Sequence, residues 1–187
     1  MNYIERLREA EKESNLLGLE PRLEIDYITT ADDDEALNEL CSIDLIQWLI
    51  DAFGLGDWAD KCLTVTPHLF RLLQKLGIPC ELVYGEVKIN GTYEFDTTLD
   101  GLKDELDKGY SETGMAIHVW INFGANYIID PTISGRIHKH YDEKCPQNII
   151  FNGKSEALFN KKLKYIPMLA GIQYIKTTCR MPLEYEV

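Results

Sequence analysis

The spacing of apolar and polar positions changes along the chain, and the change marks where helices give way to strands. Tyr3 to Leu17 is charged and mixed, with Ile4, Leu7 and Leu16-Leu17 as its apolar positions, which predicts a surface helix. Thr29-Thr30 and Asp32-Asp33-Asp34 introduce a second helical stretch running to about Phe53, with Leu37, Leu40, Cys41, Ile43, Leu45 and Trp48 as its buried stripe. Acids at a helix start complement the helix dipole, so Asp32 to Asp34 read as capping and solvated charge rather than as a metal site. Gly54-Leu55-Gly56-Asp57 then breaks the chain. The clearest helix is Thr64 to Leu76. Val65, Leu69, Leu72, Leu73 and Leu76 fall at i, i+4, i+7, i+8 and i+11 on one apolar face, and Gly77 with Pro79 stops it.

From Cys80 the pattern becomes strand-like. Glu81 to Ile89 and Thr92 to Phe95 flank Asn90-Gly91, a type I′ hairpin signal. A short charged helix is expected near Leu102 to Lys108. Ile117 to Phe123 and Tyr127 to Asp130 form a second hairpin around Gly124-Ala125-Asn126. Ser134 to Gly153 reads as a polar loop, Ser155 to Lys162 as a helix and Ile172 to Thr178 as a late strand. Helices come first and strands pair locally, so the expected class is α+β with an antiparallel sheet, in a single domain over residues 1–187.

Composition narrows the function classes. The chain has 187 residues, of which 45% are hydrophobic and 27% charged, as in a globular protein with a real core. No apolar run approaches the ~20 residues that span a bilayer, so no membrane segment is expected. Met1-Asn2-Tyr3-Ile4-Glu5-Arg6 leads into charges, so no secretory signal is expected either. The net charge of -12 argues against nucleic acid as a partner, because phosphate backbones attract the opposite sign. Five cysteines, widely spaced and without a C-x-x-C pair, read as reduced thiols in a cytoplasm. The chain has no D-x-D-x-D-G calcium loop, no cofactor is expected, and the residues do not specify an oligomeric state.

Three residues stand out chemically. Cys62 lies three residues before Val65 and seven before Leu69, so a helix that includes it places it on their apolar face. Free N–H groups and the dipole at a helix start favour a thiolate there; the alternative is a small buried hydrophobe. If the second hairpin has a three-residue loop with Asn126 in the left-handed position, Phe123 faces Tyr127, Ile121 faces Ile129 and Trp120 faces Asp130. His118 and Asp130 are then diagonal neighbours on one face, with Cα atoms about 7–8 Å apart. A two- or four-residue loop would put them on opposite faces. The alternatives are a structural His-Asp pair or a solvent-facing histidine. His138-Lys139-His140 with Cys145 forms H-x-H-x4-C, a rival zinc reading in a polar stretch. His68 falls off the apolar face of its helix and reads as a surface residue.

The segment from Cys62 through Leu72-Leu73-Gln74-Lys75-Leu76-Gly77-Ile78-Pro79, followed by Leu82-Val83-Tyr84-Gly85, resembles the transglutaminase-like superfamily. Those proteins have a cysteine opening a helix and an L-L-[RK]-x-x-G-I-P ending fifteen residues on. His118-Val119-Trp120-Ile121 and Ile129-Asp130-Pro131-Thr132 are similar to the family's H-[AV]-W-[VI] strand and closing D-P-T. The likeness covers about residues 58–132 and implies a papain/transglutaminase-like core over about 55–135. The chain departs from the family pattern at Asp60, where glycine is usual, at Cys80-Glu81, where Ala-Arg is common, and in a shorter His-to-Asp spacing. Pro67 is incompatible with an undistorted helix through Cys62, so either the helix kinks or its regular part starts at Pro67 with Thr66 as cap.

The resemblance implies acyl transfer through a thioester on Cys62, with His118 moving the proton and Asp130 orienting the ring. The substrate would be a peptide or protein amide. Water as acceptor gives a peptidase or amidase, an amine gives a transferase, and a non-catalytic binding or scaffold member is the third reading. The Cys62 amide is the expected oxyanion donor, and Trp58 and Trp120 are candidates to line the substrate site.

Overall fold

The computed structural model describes residues 1–55, 58, 61–110, 116–160 and 162–186, with no side-chain placement at 159–160. Eight helices and six strands occur among them: α1 (Tyr3–Leu16), α2 (Ala31–Ser42), α3 (Asp44–Phe53), α4 (Cys62–Lys75), β1 (Cys80–Ile89), β2 (Thr92–Tyr93), α5 (Leu99–Lys108), β3 (His118–Phe123), β4 (Tyr127–Asp130), α6 (Ile133–His140), β5 (Phe151–Lys154), α7 (Ser155–Asn160), β6 (Leu163–Ala170) and α8 (Ile172–Cys179). The strands form one antiparallel sheet, so the class is α+β as expected. No helix among the described residues is long and apolar enough to cross a membrane.

β1 is the axis of the sheet. β3 pairs with its first half, Cys80 to Gly85, and β2 with its last two residues, while β6 takes the other edge from Val83 to Ile89. β4 and β5 extend the sheet beyond β3. Side chains alternate between faces at a period of two, and two cores result. Leu82 and Tyr84 with Val119 and Ile121 pack against Val65, Leu69 and Leu73 of α4. Val83 and Val87 with Trp120 and Ile128 pack against Tyr3 and Leu7 of α1. At Gly85 a bulge interrupts the β1–β6 register, and a Cβ there would lie 2.1 Å from the Ile166 carbonyl oxygen, so only glycine lets the two strands meet.

Several elements depart from the sequence reading. The stretch predicted to run unbroken to Phe53 splits at Ile43, which is exposed; Leu37, Cys41, Leu45 and Leu49 form the buried row instead. At its start Thr30 and Asp33 make the capping box that the acids suggested. The predicted break at Gly56-Asp57 and the departure at Asp60 lie outside the described residues. The segment read as a polar loop contains α6 and β5, and the predicted late strand is α8. Ile172-Gln173-Tyr174-Ile175 has strand-forming residues, but burial of Ile172, Ile175 and Thr178 at a three-residue spacing selects the helix. β6 carried no usable signal, because Pro167 interrupts its alternation; as an edge strand it tolerates the missing donor.

The second hairpin has the expected three-residue loop and register, with Phe123 opposite Tyr127 and Ile121 opposite Ile129. The left-handed residue, however, is Gly124 (φ 55°), not Asn126. Tyr27 runs against the loop, accepting a hydrogen bond from the Ala125 amide at 2.7 Å, and a Cβ on Gly124 would lie 2.7 Å from the same carbonyl.

Candidate active site

Cys62 is the first residue of α4, and the first helical bonds run from Thr64 and Val65 to the Lys61 carbonyl. The N–H groups of Cys62 and Leu63 therefore precede every acceptor within the helix. The helix is continuous through Pro67, so its regular part does not start there, and Pro67 forgoes one bond to the Leu63 carbonyl. Thr66 donates to the Val119 carbonyl at 3.3 Å and ties this end of α4 to β3. The Cys62 Sγ lies 3.7 Å from the Ile117 carbonyl oxygen, beside the start of the strand that carries His118.

His118 and Asp130 share the strand face that the hairpin register predicts. The Nε2 of His118 lies 2.6 Å from Asp130 Oδ2, with both residues buried. The Asp130 carboxylate is saturated. It also accepts from Tyr165 Oη at 2.9 Å, the Thr132 amide at 2.9 Å, the Thr132 hydroxyl at 3.2 Å and the Ile133 amide at 3.1 Å. Those two amides open α6, so the carboxylate that orients the histidine also starts the next helix. The Nδ1 of His118 is buried without a hydrogen-bond partner among the described residues. With Nε2 committed to Asp130, Nδ1 is the nitrogen left for the neighbouring thiol. The Phe95 ring stacks on the imidazole at 4.7 Å and 14° and fixes its plane.

Burial disfavours a charged imidazole, but the Asp130 charge, its hydrogen bond and the adjacent Cys62 thiol outweigh this and push His118 up to about 10. Burial likewise works against the Asp130 carboxylate; the His118 charge and hydrogen bond, the Thr132 amide and the Tyr165 hydroxyl hold it below the ordinary carboxyl value. The consequences for stability have opposite signs. The lowered Asp130 stabilises the fold above its ordinary value, and that contribution is lost as pH falls. The raised His118 stabilises below about pH 6.5, and its contribution is lost as pH rises towards about 10. Glu81, pushed by burial to about 7, adds its own decline on the acid side of that window. The pair is therefore isolated by difference. The unfolding free energy of wild type minus that of His118→Gln, from urea titrations between pH 6.5 and 10, is expected to fall at up to about 1.4 kcal/mol per pH unit. A flat difference would contradict the pairing.

A cavity of about 210 Å³ opens over these groups, lined by Cys62, Phe95 and His118 and, from α6 and the turn before it, by Thr132, Ile133, Arg136 and Lys139. Larger hollows near Met1 and Tyr165 and near Lys88 and Gly91 hold neither cysteine nor histidine. Cys41 and Cys80 are pushed by burial to about 12, and burial also raises Cys145 and Cys179.

Trp58 and Trp120, expected near the substrate, are instead fully buried and do not line the cavity. The indole N–H of Trp120 donates to Tyr3 Oη at 3.0 Å, and that of Trp58 has no partner among the described residues. Their aromatic surface is consumed by the two cores. The zinc alternative finds no ligand set: His138 Nδ1 is bonded to the Cys145 backbone carbonyl, and no group of three metal-binding side chains occurs among the described residues. His68 is exposed, as expected, with Nδ1 2.7 Å from the Thr64 carbonyl.

Sequence reasoning missed Phe95, Tyr165, Arg136 and Lys139. Phe95 and Tyr165 reach His118 and Asp130 only through long-range packing, and the two cations sat in a stretch read as loop. Arg136 and Lys139 carry a signal in hindsight: with Ile133 they recur every three residues, one helical face. When the chain is compared with known proteins, no family model matches it, and neither a curated protein nor a solved structure gives a match.

Proposed function

We propose that this protein is a cysteine-dependent acyl-transfer enzyme of the transglutaminase-like kind, hydrolysing a peptide or amide bond through a thioester on Cys62. The observation that carries the reading is the buried His118, bonded through one nitrogen to a saturated carboxylate while the other, without a partner among the described residues, stands beside a helix-opening cysteine in a cavity wall. Structural His-Asp pairs do not require a thiol next to the free nitrogen, nor a cavity above it.

In this mechanism the proton shared by Cys62 and His118 rests on Nδ1, as an imidazolium–thiolate pair in keeping with the raised His118, and the sulfur attacks the carbonyl carbon. The developing oxyanion is met by the Cys62 amide, which no helical carbonyl occupies. The imidazolium then protonates the departing amine, and the thioester remains on Cys62. A water molecule, deprotonated by the same ring, adds to the thioester and releases the acid and the thiol. Asp130 takes no proton; it holds the ring with Nδ1 towards the sulfur and stabilises the imidazolium. An amine in place of water gives the transferase variant.

Trapping tests this directly. The protein is incubated with a library of peptides and amides and its intact mass is followed. A mass increase equal to one acyl group, located on Cys62 by fragmentation and absent from Cys62→Ser, is the expected result. Acylation spread over Cys145 and lysines, or none in any condition, would overturn the reading.

A further inference from the structure

The geometry points to an anionic substrate, one with a carboxylate or similar negative group beside the carbonyl that Cys62 attacks. This inference rests on the acyl-transfer reading and adds the substrate's charge. The chain carries a net charge of -12, yet the side chains that line the cavity over Cys62 include two cations and, among the described residues, no acid. In so acidic a protein a wall of that sign is not the average surface showing through.

The two cations are built in differently. Arg136 is fixed: its Nε donates to Glu94 Oε2 at 2.7 Å, its Nη2 to the Glu94 carbonyl at 2.5 Å, and its guanidinium lies 4.8 Å from the centre of the Phe95 ring that covers His118. Glu94 neutralises much of its charge and leaves the remaining N–H donors as directional contacts. Lys139, one turn further along α6, is exposed and has no ion pair among the described residues. It therefore supplies the uncompensated charge at the mouth, while Arg136 supplies geometry. A neutral or cationic substrate would leave that charge unused or repelled.

Two small alkylating reagents of nearly the same shape and opposite demand test this on the full chain without a known substrate: iodoacetate, which is anionic, and iodoacetamide, which is neutral. The measured quantity is the iodoacetate-to-iodoacetamide rate ratio at Cys62, relative to the same ratio for N-acetylcysteinamide. It is expected to exceed that reference at least about threefold at low salt, to shrink in 0.5 M NaCl, and to drop roughly three- to tenfold in Lys139→Glu. Lys75→Glu, at the far end of α4 about 20 Å from Cys62, makes the same charge change and is expected to leave the ratio in place. A ratio equal to the reference, or the same response in both variants, overturns the inference while leaving the acyl-transfer reading intact. If instead Cys62 reacts with iodoacetamide no faster than the free thiol and His118→Ala changes nothing, the acyl-transfer reading fails and this inference falls with it.

Discussion

In the His118→Ala variant, acyl transfer through Cys62 falls by roughly a hundred- to ten-thousandfold. The magnitude follows from what the proposed mechanism asks of the ring at both steps, holding the thiol proton and delivering it to the leaving amine. No other side chain in the cavity can substitute. Arg136 and Lys139 are cations at neutral pH, and Thr132 is a weak acid with its hydroxyl committed to Asp130. Alkylation of Cys62 by iodoacetamide at neutral pH falls as well, by a smaller factor, because that reaction needs only the first proton transfer. Removing a buried ring that stacks on Phe95 also costs stability, so the comparison includes His118→Gln and is made well below each variant's melting temperature. A slow variant that is folded supports the assignment. Unchanged alkylation in a folded His118→Ala would remove the histidine from the mechanism.

Glu86→Ala lowers the unfolding free energy by about 3–5 kcal/mol, the largest stability effect expected from a single polar side chain here. Glu86 is fully buried in β1 and has no ion pair among the described residues. Its Oε1 accepts from the amides of Val87, Glu94 and Phe95 at 2.7, 3.1 and 3.0 Å, and its Oε2 from Thr97 at 2.9 Å. All of these partners are backbone N–H donors, so both carboxyl oxygens act as acceptors. Alanine takes this acceptor from the Val87, Phe95 and Thr97 amides, while the Glu94 amide keeps the Val87 carbonyl at 3.1 Å. For a chain of this length the loss corresponds to a fall in melting temperature on the order of 10 °C. The same amides hold the 94–97 turn that sets Phe95 over His118, so Cys62 reactivity is expected to fall too, without any change to Cys62, His118 or Asp130. A melting temperature within about 2 °C of wild type would show that the turn is held by other contacts.

The parts of the fold that were legible before the structure were those where local pattern and tertiary burial agree. Val65, Leu69 and Leu73 announce α4, and Asn90-Gly91 announces its hairpin with both residues at positive φ. The loop of three residues at Gly124 placed His118 and Asp130 on one face by parity alone, and the structure closes that pair to a hydrogen bond. What stayed hidden depends on partners distant in sequence. α6 begins where it does because a carboxylate on β4 accepts the Thr132 and Ile133 amides, a cap that no local sequence pattern encodes. β5 is Phe-Asn-Gly-Lys, a poor strand by propensity, formed by pairing with the open edge of β4. Tyr165 reaches Asp130 from 35 residues away. The two tryptophans misled for a related reason: closeness in sequence to Cys62 and His118 suggested the cavity, whereas their size sent them to the cores.

The central claim is that Cys62 accepts an acyl group with the help of His118. Stopped-flow mixing with excess p-nitrophenyl acetate measures this most directly, by release of p-nitrophenolate. The account predicts a burst of one equivalent per chain, followed by slow turnover, with the acetyl group on Cys62; Cys62→Ser gives no burst and His118→Ala only a slow approach to it. A linear trace without a burst in the wild type, or a burst that survives in Cys62→Ser, would contradict it.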